Sequence, residues 1–220
     1  MRLLNNVLDL IYPPKCLLCD KVLGKNQLDL CPDCRVRQPL CPISKNKLSF
    51  VDSWLALWYY EENAKESLRR YKFRGKRCYA SGYGRLLAMK IQQEKDGCFD
   101  LITWVPVSRL RKFSRGYDQV ELLAKTVGKE LGFEPVRCLR KIRNNPPQSG
   151  ISGHAQRRAN VLGAYKVIPG TQIQGKRILL LDDIITTGST AGECAKVLLT
   201  AGAAQVHCAA LAAANHDERQ

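Results

Sequence analysis

RILLLDDIITTGSTAGECAKVLLTA, residues 177–201, joins an apolar run to two adjacent acids, a turn of small and hydroxylated residues, and an Ala-rich stretch ending at Gly202. ILLL at 178–181 reads as a buried strand that ends in Asp182 and Asp183. Thr186, Thr187, Gly188, Ser189 and Thr190 form the turn, and 190–201 reads as a helix stopped by Gly202. A strand–loop–helix step exposes backbone N–H groups at a helix N-terminus, which is an anion site. Gly188 lets a ligand approach the backbone, the hydroxyls add donors, and the acids accept hydrogen bonds from sugar hydroxyls.

Working outward, WLALWYY at 54–60, LITWVPV at 101–107 and QVHCAAL at 205–211 also read as strands. Val120, Leu123, Ala124, Val127 and Leu131 recur at helical spacing over 119–131, with Gly132 as the stop. Strands alternating with helices predict an α/β fold, a parallel sheet flanked by helices. Residues 140–160 are rich in Arg, Asn, Pro and Gly without apolar periodicity, the mark of a functional loop.

Residues 1–50 differ from this pattern and are expected to form a separate small module before an α/β domain at 51–220. The segment holds five prolines and two cysteine pairs, Cys16/Cys19 and Cys31/Cys34. Two thiolates on each of two tight turns complete a tetrahedral site, so structural zinc is expected. A thioredoxin-like dithiol needs a strand-to-helix setting that this Pro-rich segment lacks. Cys41 reads as a lone buried thiol.

The chain has 220 residues, 45% apolar and 25% charged, which excludes a disordered or fibrous protein. No apolar run approaches the ~20 residues of a membrane-spanning helix. The opening MRLLNNVLDLIYPPKC lacks the pattern of a secretory signal, and a cytoplasmic protein is expected. Net charge is +15, which points to a polyanionic partner. One basic cluster holds Lys65, Arg69, Arg70, Lys72, Arg74, Lys76 and Arg77, interleaved with Tyr71 and Phe73. Cations with aromatics track single-stranded DNA, and Arg69, Arg70, Tyr71, Lys72, Phe73 and Arg74 are its candidate contacts. A solvated face, or service to a phosphorylated ligand, is the competing reading. A second cluster is Arg109, Arg111, Lys112 and Arg115; a third is Arg137, Arg140, Lys141 and Arg143. His207 reads as a packed residue of an apolar strand, and His154 lies in the 140–160 loop. No Ser-His-Asp set, HExxH motif or Walker lysine loop is present.

LLLDDIITTGST resembles the 5-phosphoribosyl-1-pyrophosphate (PRPP) motif of type I phosphoribosyltransferases. With the cysteine pairs, YKFRGKR at 71–77 and VPVSRLRKFSRGYDQ at 105–119, the chain resembles the ComF/GntX family, associated with natural competence and uptake of transforming DNA. The resemblance implies a phosphoribosyltransferase-like sheet that binds PRPP with Mg²⁺ through Asp182, Asp183, Ile184, Thr186, Thr187, Gly188, Ser189 and Thr190. It also implies a diphosphate loop at Val107, Ser108, Arg109, Leu110 and Arg111, and a lid carrying Gln148, Arg157 and Asn160. Implied partners are single-stranded DNA and proteins of the DNA-uptake machinery. Two departures stand out: Ser108 where a second proline is common, and Asn144-Asn145-Pro146-Pro147 where the family often has Thr. Only nine residues follow the 205–211 strand, so a base-reading hood must come from the cysteine segment or from 61–95, which disfavours base salvage. Three functions stay open: a DNA-handling competence protein with a PRPP site, an active transferase with an unidentified nitrogen acceptor, and a PRPP-sensing scaffold without turnover. No catalytic residue is assigned.

Overall fold

Each apolar run expected to be a strand is one, and all four join one parallel sheet in the spatial order Ser53–Tyr59, Gln205–Ala213, Arg177–Ile185, Leu101–Trp104. The computed structural model describes residues 13–42, 47–73, 75–95, 97–143 and 159–215. In chain order its elements are α1 (Pro32–Val36), β1 (Ser53–Tyr59), α2 (Glu62–Phe73), α3 (Tyr79–Lys95), β2 (Leu101–Trp104), α4 (Arg109–Arg115), α5 (Gln119–Leu131), β3 (Leu139–Lys141), β4 (Tyr165–Val167), β5 (Arg177–Ile185), α6 (Ser189–Thr200) and β6 (Gln205–Ala213). Strands β3 and β4 form a separate antiparallel pair, with Arg140 opposite Lys166. Among the described residues no helix is long and apolar enough to cross a membrane.

Alternation along the strands divides the interior in two. Leu55, Leu57, Leu179, Leu181 and Leu211 pack on one face against Leu68 and Tyr71 of α2, Tyr83 and Leu87 of α3, and Leu123 and Val127 of α5. Ala56, Ile178, Leu180, Cys208 and Ala210 pack on the other face with Cys194 and Leu198 of α6 and Tyr165 of β4. Helix α5 starts where the sequence places it, because Asp118 caps it by accepting from Val120 N at 3.0 Å and Glu121 N at 3.1 Å.

Three local expectations need correction. Strand β5 continues past the acids to Ile185, so Asp182 and Asp183 lie within the strand. A strand side chain alternates faces, so the two acids leave in opposite directions. Strand β2 stops at Trp104, and residues 109–111 of the expected diphosphate loop are the first turn of α4. Ser108, the residue departing from the proline pattern, is the N-cap of that helix, its Oγ accepting from Arg111 N at 3.4 Å.

The cysteine segment has no core apart from its neighbour's. Leu17, Leu18, Leu23 and Leu30 belong to the same buried cluster as Trp58, Leu68, Tyr71 and Tyr83. Polar ties reinforce this: the Arg70 guanidinium donates to Leu17 O at 3.1 Å and Leu18 O at 2.6 Å. Arg85 grips the Asp29 carboxylate with two nitrogens, and Tyr79 OH donates to Asp20.

Candidate functional site

Gly188 begins α6 in the left-handed region, φ 71°, and brings no capping side chain. The first turn of α6 therefore borders a small concavity lined by Asp182, Ile184, Ile185, Thr186, Gly188, Ser189, Thr190 and Ala191. Thr187 Oγ1 lies 2.8 Å from Ser189 Oγ, which fixes the turn from within. A methyl group added at Gly188 would collide with Leu48, and one at Gly192 would stand 2.8 Å from Ser49 O. Residues 48 and 49 thus lie over the loop, and Gly188 serves this packing.

The acids inherit the strand's alternation. Asp183 faces α2 and α5, where Lys72 Nζ stands 2.9 Å from Oδ1 and Gln119 Nε2 donates to Oδ2 at 2.9 Å. Burial works to raise its pKa, but the Lys72 charge and the Gln119 hydrogen bond outweigh it and hold the carboxyl below its ordinary value. Asp182 faces the other side. There burial, then the charge of Asp183, pushes its pKa up to about 8, so at neutral pH the pair holds one proton, on Asp182. Lys141, whose ammonium lies over the Tyr165 ring at 5.4 Å, flanks Asp182 and has its pKa lowered, first by burial and then by Arg111. Arg115 faces Asp183 from α4. Cations from α2, α4 and β3 therefore surround two acids that carry one negative charge between them. The surplus fits an anionic ligand better than a bare cation.

The remaining expected contacts divide as follows. Val107 N donates to Asp118 Oδ2 at 3.4 Å, which ties the segment after β2 to the start of α5. Leu110 is exposed and points no polar group into the site. Asn160 is half-buried just before β4, while Gln148, Arg157 and His154 lie outside the described residues. His207 is packed, its Nδ1 2.8 Å from Ser53 Oγ. Among the nucleic-acid candidates, Tyr71 is 0% exposed and donates its hydroxyl to Gln119 O at 2.6 Å, so its ring is closed to a base. Arg70 is spent on the cysteine segment and Lys72 on Asp183. Arg69 and Phe73 are exposed, and Arg74 lies outside the described residues. Sequence reasoning named Arg115 and Lys141 as members of basic clusters and missed Gln119 and Asp118 as parts of the acid-pair environment. Only Asp118 gave a signal, as a capping residue directly before a periodic helix.

The four expected zinc ligands come together. The Sγ atoms of Cys16, Cys19, Cys31 and Cys34 lie within 4.8 Å of one another, and those of Cys19 and Cys31 are 3.7 Å apart. Four thiolates at the usual Zn–S distance stand roughly 3.8 Å apart, so the cluster fits a structural zinc ion. Mg²⁺ fits less directly. Both Asp183 oxygens are engaged and Asp182 holds a proton, so the pair suits Mg²⁺ carried in on a diphosphate, with phosphate oxygens and water as most of its ligands.

Residues 121–220 match the phosphoribosyl transferase domain, and residues 7–47 match the double zinc ribbon domain. Competence protein F of Haemophilus influenzae is 27% identical over 169 residues, covering 74% of this chain and 73% of that protein. Competence protein ComFC of Streptococcus pneumoniae is 29% identical over 223 residues, covering 87% of this chain and 96% of that one. The DNA utilization protein YhgH of Escherichia coli O157:H7 is 30% identical over 145 residues, 63% of this chain and 62% of that one. A zinc ribbon match followed by a phosphoribosyl transferase domain match, with similarity to competence proteins running through both, makes this chain similar to proteins of the ComF family.

Proposed function

We propose that this protein binds PRPP with Mg²⁺ at the carboxyl ends of β5 and β2 and works in the handling of incoming single-stranded DNA. The observation that carries the ligand reading is the acid pair beside an uncapped helix N-terminus, ringed by Lys72, Arg111, Arg115 and Lys141. The loop amides offer donors to the 5′-phosphate, Asp182, which lines the concavity, offers an acceptor to a ribose hydroxyl, and Arg111 and Arg115 of α4 supply charge for a diphosphate. The DNA reading is supported by the basic excess and by relatives named for competence and DNA utilization. No base-reading hood is needed by such a protein.

Transfer to a nitrogen acceptor is the second reading. Gln119 is 2% exposed, and its Oε1 has no hydrogen-bond partner although its Nε2 serves Asp183. A bound N–H or ribose hydroxyl would satisfy that oxygen. Calorimetric titration of the full chain with PRPP, with and without Mg²⁺, tests binding. Binding that Arg111→Ala weakens roughly 10- to 150-fold, in line with about 1.5–3 kcal/mol for a charged hydrogen bond, supports the site. No heat with the wild-type chain refutes it. Diphosphate release on adding candidate nitrogen nucleophiles separates turnover from binding alone.

A further inference from the structure

The two basic segments nearest the acid pair contain no acidic residue: 69–77 supplies six cations and 105–117 supplies four. They are far apart in sequence, yet the fold brings them together. The Arg115 guanidinium lies 4.8 Å from the Phe73 ring centre. Arg77 lies 4.7 Å from the Tyr117 ring centre and donates to Gly116 O at 3.2 Å. Gly116, φ 72°, permits this approach, because a Cβ there would stand 2.9 Å from the Arg77 guanidinium. One face thus joins the end of α2 to α4.

Two rings on these elements are exposed: Phe113 is 91% exposed and Phe73 is 68% exposed, both unusual for phenylalanine. Phe113 is two residues from both Arg111 and Arg115 in a seven-residue helix with no acid, so its ring points to the outer side of α4, away from those two guanidinium groups. Neither ring covers the core, since Leu68 and Tyr71 do that for α2. Exposed flat apolar rings beside arginines match unstacked bases on a phosphate chain. An acidic protein surface would satisfy the charges but would leave the rings unmatched.

We propose that Phe73, with Arg69, Arg77 and Arg115, and Phe113 on the outer side of α4 form a single-stranded nucleic-acid surface that runs from the end of α2 over α4 and adjoins the phosphoribosyl site. The proposal rests on the DNA-handling reading and relocates its contacts: Phe73 and Phe113 stack bases, whereas Tyr71 is core. Because Arg115 also faces Asp183, strand and diphosphate compete for it.

Fluorescence anisotropy of a labelled oligothymidylate with the full chain, at several salt concentrations, tests the surface. Phe113→Ala and Phe73→Ala should each weaken binding roughly 5- to 100-fold with an unchanged salt slope, as loss of one stacked base does. Arg69→Ala with Arg77→Ala should flatten the slope of log affinity against log salt by roughly 0.7 for each phosphate that is no longer neutralised, and the exposed Lys166→Ala should leave affinity unaltered. Adding PRPP with Mg²⁺ should release the oligonucleotide. Wild-type binding that survives both phenylalanine substitutions overturns the surface and leaves the DNA reading standing. A wild-type chain that ignores the oligonucleotide overturns both. Phe113-dependent self-association seen by sedimentation, without oligonucleotide binding, reassigns the face to a second copy of the chain.

Discussion

Lys72→Met removes the cation that faces Asp183 while keeping most of the side chain's apolar stem. The wild-type pair is 2.9 Å apart, with 16% and 12% of the two side chains exposed. Removing one partner of a buried ion pair costs about 3–5 kcal/mol. Two features reduce that figure here: Gln119 still donates to Asp183 Oδ2, and Arg115 still faces the carboxylate from α4. A loss of about 2–3 kcal/mol near pH 8 follows. Protonation caps it, because an acid of unfolded pKa near 3.9 is neutralised at pH 7 for about 4 kcal/mol. The sign is then fixed. In the wild type the depressed folded pKa of Asp183 stabilises the protein above the unfolded value, and that stability is lost as pH falls through the folded value. In the variant the folded pKa rises, so Asp183 takes up a proton and the gap between variant and wild type closes on acidification. Urea unfolding of both proteins from pH 5 to pH 8, at constant m-value, measures the gap directly. Adding Asp183→Asn should recover most of the loss at pH 8, since Gln119 keeps an acceptor. A gap of equal size at both ends of the pH range, or no recovery in the double variant, refutes the electrostatic account and makes Lys72 a packing residue.

Asp182→Asn should do the reverse. Because burial and Asp183 raise the folded pKa of Asp182 to about 8, its contribution to stability is complete below pH ~4 and is lost as pH rises to about 8. The variant should match the wild type at pH 4 and exceed it by up to about 5 kcal/mol at pH 8.5; a variant destabilised at both would show that Asp182 stays ionised in the fold. Chelation of zinc, or Cys31→Ser, should lower the thermal midpoint of the whole chain by roughly 5–10 °C, because Leu17 and Leu18 share the core of α2 and α3. A cysteine segment that melts alone, with the remaining transition unmoved, refutes that shared core.

Helix α5 and the β5–α6 turn were legible because their signals are local. Asp118 caps and Gly132 stops one helix, and a glycine with neighbouring hydroxyls marks the other junction. The reach of β5 was not legible, since a run ending in two acids resembles a strand end. Only a cation from α2 and an amide from α5 let those acids remain in the strand. The run at 65–77 misled for a different reason. Ala64, Ser67, Leu68 and Tyr71 recur at helical spacing and form the buried stripe of α2, but the dense cations between them hide it. Arg70 gave no local sign of burial because its carbonyl partners, Leu17 and Leu18, lie more than fifty residues away. The meeting of Arg115 with Phe73 is likewise a product of the fold, in which two clusters of cations become one face.

Arg70, Tyr71 and Lys72 are consecutive, and in a helix consecutive side chains point about 100° apart. Each is anchored to a different neighbour: the zinc ribbon, the first residue of α5, and the acid of β5. A rod pinned on three sides cannot roll or slide without breaking all three attachments together. Opening of Asp183 to a ligand therefore falls to the torsions of the Lys72 side chain, which relax on the timescale of rotamers and not of moving helices. In the proposed PRPP complex, approach to this acid then calls for that side-chain motion and for no shift of α2.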